Sequence, residues 1–172
     1  MERYDIAIIG TGPAGLEAAI TARIRNKKII LFGNKNLSLK VEKAHTIQNY
    51  LGLPDIGGEE LKAAYEAHLK AMEIEITEDK INAVYAMGKY FALQGNGTNY
   101  EAQTVILATG VSTAKTYPGE EQFLGRGVSY CATCDAPLYR GKIVAIIGFS
   151  PKEEAEADFM AEMADKVYYI PM

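Results

Sequence analysis

Apolar positions along this chain follow two alternating rhythms, and their order predicts most of the elements. Tyr4-Asp5-Ile6-Ala7-Ile8-Ile9 is a short apolar run with β-branched residues, the pattern of a parallel strand buried on both faces. Gly10-Thr11-Gly12-Pro13-Ala14-Gly15 follows at once, and Leu16 to Arg25 is alanine-rich and amphipathic, which predicts a helix. Lys28 to Phe32 reads as a second parallel strand, and Lys35 to Val41 as a polar loop. A loop at Asn49 to Pro54 leads to a helix over Gly58 to Met72, with Leu61, Ala64, Tyr65, His68, Leu69 and Met72 on one stripe. Short strands are expected at 73–77, 81–86, 90–94 and 100–108, with Asn96-Gly97 marking a hairpin between the last two.

From Val111 to Gly127 the chain turns polar and carries Pro118 and three glycines, the composition of a boundary. A second βαβ start follows: a strand at Lys142 to Ile147, a glycine turn, a helix to about Asp165 and a strand at Lys166 to Ile170. The fold class is therefore α/β. A Rossmann-like βαβ domain with a β-meander occupies 1–110, and the start of a second Rossmann-like domain occupies 111–172.

Gly10 to Gly15 is a GxGxxG between a strand and a helix, the context that gives this pattern meaning. Gly10 makes the tight turn, Gly12 lets backbone approach a pyrophosphate, and Gly15 lets helix and strand pack closely. Pro13 suits a first helical turn, and the phosphates would sit over the helix N-terminus. The acid that usually grips a nucleotide ribose is missing, since the second strand ends Phe32-Gly33-Asn34. Asn34 or Lys35 would have to serve, which weakens NAD and leaves FAD open. Lys35, Lys40 and Lys43 either face flavin or phosphate or form a solvated lysine loop. Val105 to Gly110 is another strand running into glycine, a second place for backbone to approach a dinucleotide. In the second unit the fingerprint is broken. Ser150 and Glu153 replace its second and third glycines, and Glu153, Glu154, Glu156 and Asp158 crowd the helix start, where they suit the macrodipole but repel a pyrophosphate. The arginine a 2′-phosphate would want is replaced by Tyr169-Ile170-Pro171-Met172.

The only cysteines in 172 residues are Cys131 and Cys134, in Tyr130-Cys131-Ala132-Thr133-Cys134-Asp135. So close a pair can form a small disulfide ring that is readily reduced and re-formed. Asp135 is placed to give or take a proton as a thiol leaves or attacks. The competing readings are an inert pair and a zinc half-site. Zinc would need ligands from His45 and His68, which are distant and unpaired. His68, on the helix stripe, reads as a packed or half-exposed helix residue. Net charge is −4 with no basic patch, which excludes nucleic acid as a natural partner. No apolar run reaches membrane-spanning length and no export leader is visible, so the expected setting is the cytoplasm.

The Gly10–Gly15 turn, the Val105–Gly110 strand and Gly125-Arg126-Gly127-Val128-Ser129-Tyr130-Cys131-Ala132-Thr133-Cys134-Asp135 resemble, in this order and spacing, the low-molecular-weight thioredoxin reductases. The resemblance implies an FAD-binding domain and an NADPH-type domain carrying CxxC. It also implies a homodimer and electron flow from flavin to disulfide to thioredoxin. Gly10, Gly12, Pro13, Ala14 and Gly15 would hold the FAD pyrophosphate, with Gly33 and Asn34 near the adenosine and Ile81 against the adenine. Asn49 and Ala108, Thr109 and Gly110 would line the isoalloxazine. Cys134 would face the flavin, Cys131 would exchange with thioredoxin, and Asp135 would manage the proton. Ser38-Leu39-Lys40-Val41 stands where that family has a Gly-Gly-Gln-Leu flavin loop, and the NADPH fingerprint is lost. Both departures are similar to the ferredoxin-dependent flavin thioredoxin reductases, which take electrons from ferredoxin rather than NADPH. Both families continue past residue 172 with a Gly-Asp segment that binds the FAD ribitol, so the chain is expected to be part of a longer enzyme.

Overall fold

The computed structural model describes residues 3–110 and 116–172, with the side chain of Glu121 left aside. Of the expected boundary at 111–127, residues 111–115 lie outside the described residues. The chain divides into two compact units, Met1–Lys43 with Gly58–Thr116, and Ala44–Gly57 with Tyr117–Met172. The loop at 44–57, which the sequence places in the first unit, groups with the second.

In the first unit, β1 (Arg3–Ile9) runs into helix α1 (Pro13–Ile24), which returns to β2 (Ile29–Phe32). Helix α1 starts three residues before the expected Leu16, because Pro13 supplies a preset first-turn φ and Gly12 the N-cap. A one-turn helix α2 (Leu39–Glu42) lies in the stretch expected to be loop, capped by Ser38 Oγ, which accepts from the Val41 N–H. Helix α3 (Gly58–Ala71) leads to β3 (Ile76–Thr77), β4 (Ala83–Ala86), β5 (Phe91–Gln94) and β6 (Asn99–Leu107). These strands form one sheet in the order β3-β2-β1-β6-β5-β4. The first four are parallel to one another, and β4 and β5 join as an antiparallel meander.

Side chains alternate across this sheet and make two cores. Ile8 and Leu31 meet Leu16 and Ala19 of α1, Leu69 of α3 and Leu37 on one face. Ala7, Ile30 and Phe32 meet Leu93 and Ala102 of the meander on the other, where Phe32 packs edge-to-face on Tyr100 at 4.8 Å between ring centres. The α3 stripe is narrower than its sequence suggests. Leu61 and Leu69 are buried, whereas Ala64 and His68 are exposed.

In the second unit, the one-turn helices α4 (Glu120–Phe123) and α5 (Ala132–Asp135) precede a 3₁₀ turn at Ala136–Tyr139. Strand β7 (Ile143–Gly148), helix α6 (Pro151–Ala161) and strand β8 (Lys166–Pro171) then make one βαβ unit with a two-stranded parallel sheet. The 44–57 loop is closed by an antiparallel bridge between Ile47 and Ile56.

Candidate functional site

Three backbone segments gather at the C-terminal ends of the parallel strands β2, β1 and β6, because Ile9 is in register with Phe32 on one side and Leu107 on the other. They are Gly10–Gly15, Gly33–Asn34 and Ala108–Gly110. Gly10 donates its N–H to Phe32 O at 2.8 Å and Ala108 donates to Ile9 O at 2.9 Å, so the strand ends are laced together up to the turn. Gly10 has φ +124°, and a Cβ there would collide with the Ala108 carbonyl. Gly15 is packed as tightly, and a Cβ on it would overlap the carbonyl oxygen of Gly10.

Gly12 differs. It is the N-cap of α1, no side chain caps the helix, its first turn holds no acid, and a Cβ on Gly12 would meet nothing within 4 Å. Pro13 and Ala14 are exposed. The positive end of α1 is thus left uncovered in its own unit, and this cradle fits a dinucleotide pyrophosphate. Thr11, buried in the turn, accepts the Asn34 N–H at 3.2 Å and donates to Asn34 O at 3.1 Å. Gly33 must be glycine for this, since a Cβ would lie 2.5 Å from Thr11 Cγ2. The Asn34 carboxamide oxygen accepts the Asn36 N–H at 2.8 Å, so the side chain shapes its own turn. Sequence reasoning missed Thr11, because a threonine inside a glycine turn carries no pattern.

The other expected cofactor residues are more scattered. Ile81 is partly buried against the core of Ala7, Ile30 and Phe32. Lys40 is exposed on α2, and Asn49 is an exposed residue of the second unit.

The second unit holds the redox pair. Cys131 and Cys134 are joined in a disulfide with their Cα atoms 5.3 Å apart. Cys131 is the N-cap of α5, and its Sγ accepts the Cys134 N–H at 3.2 Å and lies 3.5 Å from Thr133 Oγ1. Cys131 is half-buried and Cys134 exposed. Asp135 closes this turn through its N–H to Cys131 O at 3.2 Å, and its carboxylate accepts from Ser129 Oγ at 2.6 Å. Burial first, and then the charge of Asp135, pushes the Tyr139 phenol up. Upstream, Tyr130 donates to one oxygen of Glu120, and the other accepts the Tyr117 N–H at 2.6 Å. These bonds, Tyr130 first, hold the Glu120 carboxyl below its ordinary value although only 7% of the residue is exposed. Nothing in the sequence pairs residues 120 and 130.

The second glycine turn is filled by the chain itself. Glu153 Oε2 accepts from the N–H of Ser150 at 2.6 Å, the N–H of Phe149 at 3.2 Å and the Ser150 hydroxyl at 2.7 Å. Ser150 in turn caps α6, completing a capping box. The hydroxyl bond and the backbone bonds lower the Glu153 carboxyl against a smaller opposing effect of burial. Tyr169 covers the preceding residue, where a Cβ on Gly148 would lie 2.5 Å from its Cε2. A carboxylate thus sits on the N–H groups at the start of α6, and a phenol lies against the glycine that ends β7. Among the described residues no group of three His, Cys, Asp or Glu could hold a metal, and no helix is long and apolar enough to cross a membrane.

An open glycine cradle on a parallel sheet and a separate βαβ unit bearing a CxxC disulfide define a protein of the two-nucleotide-fold class with a vicinal cysteine pair. The family pattern of the pyridine nucleotide-disulphide oxidoreductases matches residues 4–170, and the chain belongs to that family. It is 40% identical over 167 residues to a thioredoxin reductase of Peptoclostridium litorale, covering 95% of this chain and 53% of that protein. A ferredoxin-flavin thioredoxin reductase of Clostridium acetobutylicum is 59% identical with a TM-score of 0.65, over 100% of this chain and 60% of that one. The thioredoxin reductase of Streptococcus pyogenes gives a TM-score of 0.84 at 32% identity, over 97% of this chain and 55% of that one. The chain spans about half the length of the curated relatives it matches.

Proposed function

We propose that this chain belongs to a flavin-dependent disulfide reductase of thioredoxin reductase type, with ferredoxin rather than NADPH as electron donor. The observation that carries this reading is the opposite state of two equivalent helix ends. The α1 end is uncapped and open, whereas the α6 end is filled by Glu153 and Tyr169. One nucleotide-type cradle is therefore free for FAD, and the other has no room for a second pyrophosphate. The similarity to the Clostridium acetobutylicum enzyme, whose name carries both ferredoxin and flavin, points the same way.

On this reading residues 1–110 hold FAD and residues 111–172 carry the redox pair. Gly10 to Gly15 seat the pyrophosphate, Gly33, Asn34 and Ile81 lie toward the adenosine, and Asn49, Ala108, Thr109 and Gly110 line the ring side, with Lys40 nearby. Bound there, the flavin supplies two electrons for reduction of a disulfide. The chain's own part is sulfur and proton chemistry. Cys134 faces the flavin side, Cys131 exchanges with thioredoxin, and Asp135 holds or delivers the proton at the departing sulfur. The Cys134 N–H aimed at Cys131 Sγ favours the thiolate form of Cys131 once the pair is reduced. A cytoplasmic homodimer belongs to the same reading.

The test is a spectrum of the full enzyme under anaerobic conditions. Reduced ferredoxin should bleach its flavin absorbance and support thioredoxin reduction, while NADPH leaves the spectrum unchanged. Rapid bleaching by NADPH would sink the donor assignment, and an enzyme that cannot take up flavin would sink the whole reading.

A further inference from the structure

The hydroxyl of Ser129 lies within hydrogen-bonding distance of three groups around the disulfide. It is 2.6 Å from Asp135 Oδ2, 3.1 Å from the Cys131 N–H and 3.2 Å from Cys131 O. A serine has one proton to give, and the shortest and charge-assisted bond takes it. Ser129 therefore donates to Asp135 and accepts from Cys131. A chain of two hydrogen bonds then runs from the backbone of one cysteine to the carboxylate beside the other, each polarising the next. Among the described residues Asp135 Oδ1 receives no hydrogen bond, so one oxygen is fixed and the other is left for a proton.

We propose that Ser129 is a positioning residue for thiol–disulfide exchange, holding the Asp135 carboxylate in the orientation from which it moves the proton. This rests on the role of Asp135 proposed above. The step can be written with an external dithiol. Its first thiol loses a proton to Asp135 and attacks one sulfur of the Cys131–Cys134 bridge. The S–S bond breaks, the other cysteine sulfur leaves with the electron pair, and Asp135 returns the proton to it. The second thiol of the reagent then attacks its own mixed disulfide, releasing the remaining cysteine as a thiol. Two electrons have passed from dithiol to disulfide. Without Ser129 the carboxylate is free to turn away, and it meets the sulfur in fewer encounters.

The test needs no flavin. The rate at which dithiothreitol opens the Cys131–Cys134 bridge is followed in the full chain by acid quench, alkylation and mass spectrometry. Asp135→Asn keeps the hydrogen-bond acceptor but cannot carry the proton, and it is expected to slow opening about tenfold or more. Ser129→Ala should slow it about fivefold, the share expected of one orienting hydrogen bond, and Ser129→Thr should restore most of the rate. In the Asp135→Asn background, Ser129→Ala should add nothing, because the proton it aims is already gone. A wild-type rate for Ser129→Ala overturns the proposal while leaving Asp135 in its role. So does a double variant slowed by the product of both single effects. A wild-type rate for Asp135→Asn overturns the role of Asp135 itself, and the proposal falls with it.

Discussion

Gly12 and Gly15 stand three residues apart in one turn and meet opposite constraints. The atom that a methyl group on Gly15 would strike is backbone, the Gly10 carbonyl, which has no rotamer to yield. Gly15→Ala is therefore expected to cost about 3 kcal/mol, the upper end for overpacking, read as a lower urea midpoint. Gly12 has φ −80° and open space ahead of it. Gly12→Ala should cost no more than about 1 kcal/mol, the loss of glycine from an N-cap, yet reduce the flavin retained by the full enzyme. Equal damage to stability from both changes would remove the distinction. Both glycines were legible in advance, because strand, glycine turn and helix follow one another without a gap. Glu153 was legible only as charge. The Ser-x-x-Glu from Ser150 to Glu153 is a capping-box pattern in its own right, and the structure turns a general repulsion into a carboxylate seated on two N–H groups. Thr11 and Ser129 left no trace in the sequence, since each acts on a partner that only the folded turn brings near.

The elements read most easily were the long ones. Helices α1, α3 and α6 and strand β6 are long enough to be seen, and the shorter β1 and β2 were read from apolar runs beside the first glycine turn, whereas α2 and α4 are single turns too short to show a period. Helix α3 shows what periodicity leaves out: Ala64 and His68 fit its stripe but face solvent, so the buried Leu61 and Leu69 and the partly buried Tyr65 anchor the helix. Leu61→Ala should accordingly cost about 2–5 kcal/mol in the urea midpoint, while His68→Ala should change it by less than about 0.5 kcal/mol. Helix α4 contributes through Glu120 rather than through its own length. The Glu120 carboxyl is held below its ordinary 4.5, chiefly by the Tyr130 hydroxyl. A carboxyl depressed on folding adds stability above the unfolded value and loses it as pH falls through the folded one. Tyr130→Phe is therefore expected to lower the denaturant midpoint at neutral pH, with the gap to wild type closing well below pH 4.5. A gap that stays constant with pH would mean that the phenol acts on stability by packing alone.

At the scale of the whole molecule, the proposed function asks the cysteine pair to change state while the fold stays intact, and the structure explains how it can. The disulfide spans a sequence separation of only three, and so short a loop removes little entropy from the unfolded chain, at most about 2 kcal/mol on the chain-entropy account. The large apolar clusters lie in the other compact unit, around Ile8 and Leu31 on one face of its sheet and around Ala7 and Phe32 on the other. The turn bearing the cysteines also has supports that do not involve the S–S bond. Ser129 bridges to Asp135, Tyr130 to Glu120, and the Asp135 N–H to Cys131 O. Such supports were invisible in a sequence where the cysteines dominate the reading, and none of them needs the S–S bond. Reduction should therefore leave far-UV circular dichroism unchanged and lower the thermal midpoint by only a few degrees, the shift expected of about 2 kcal/mol or less in a chain of this size. Cys131→Ser and Cys134→Ser, each locked in the reduced state, should unfold at the midpoint of the reduced wild type. Loss of regular structure on reduction would instead make the bridge a structural staple, a role incompatible with the proposed function, in which the pair opens and closes at every turnover.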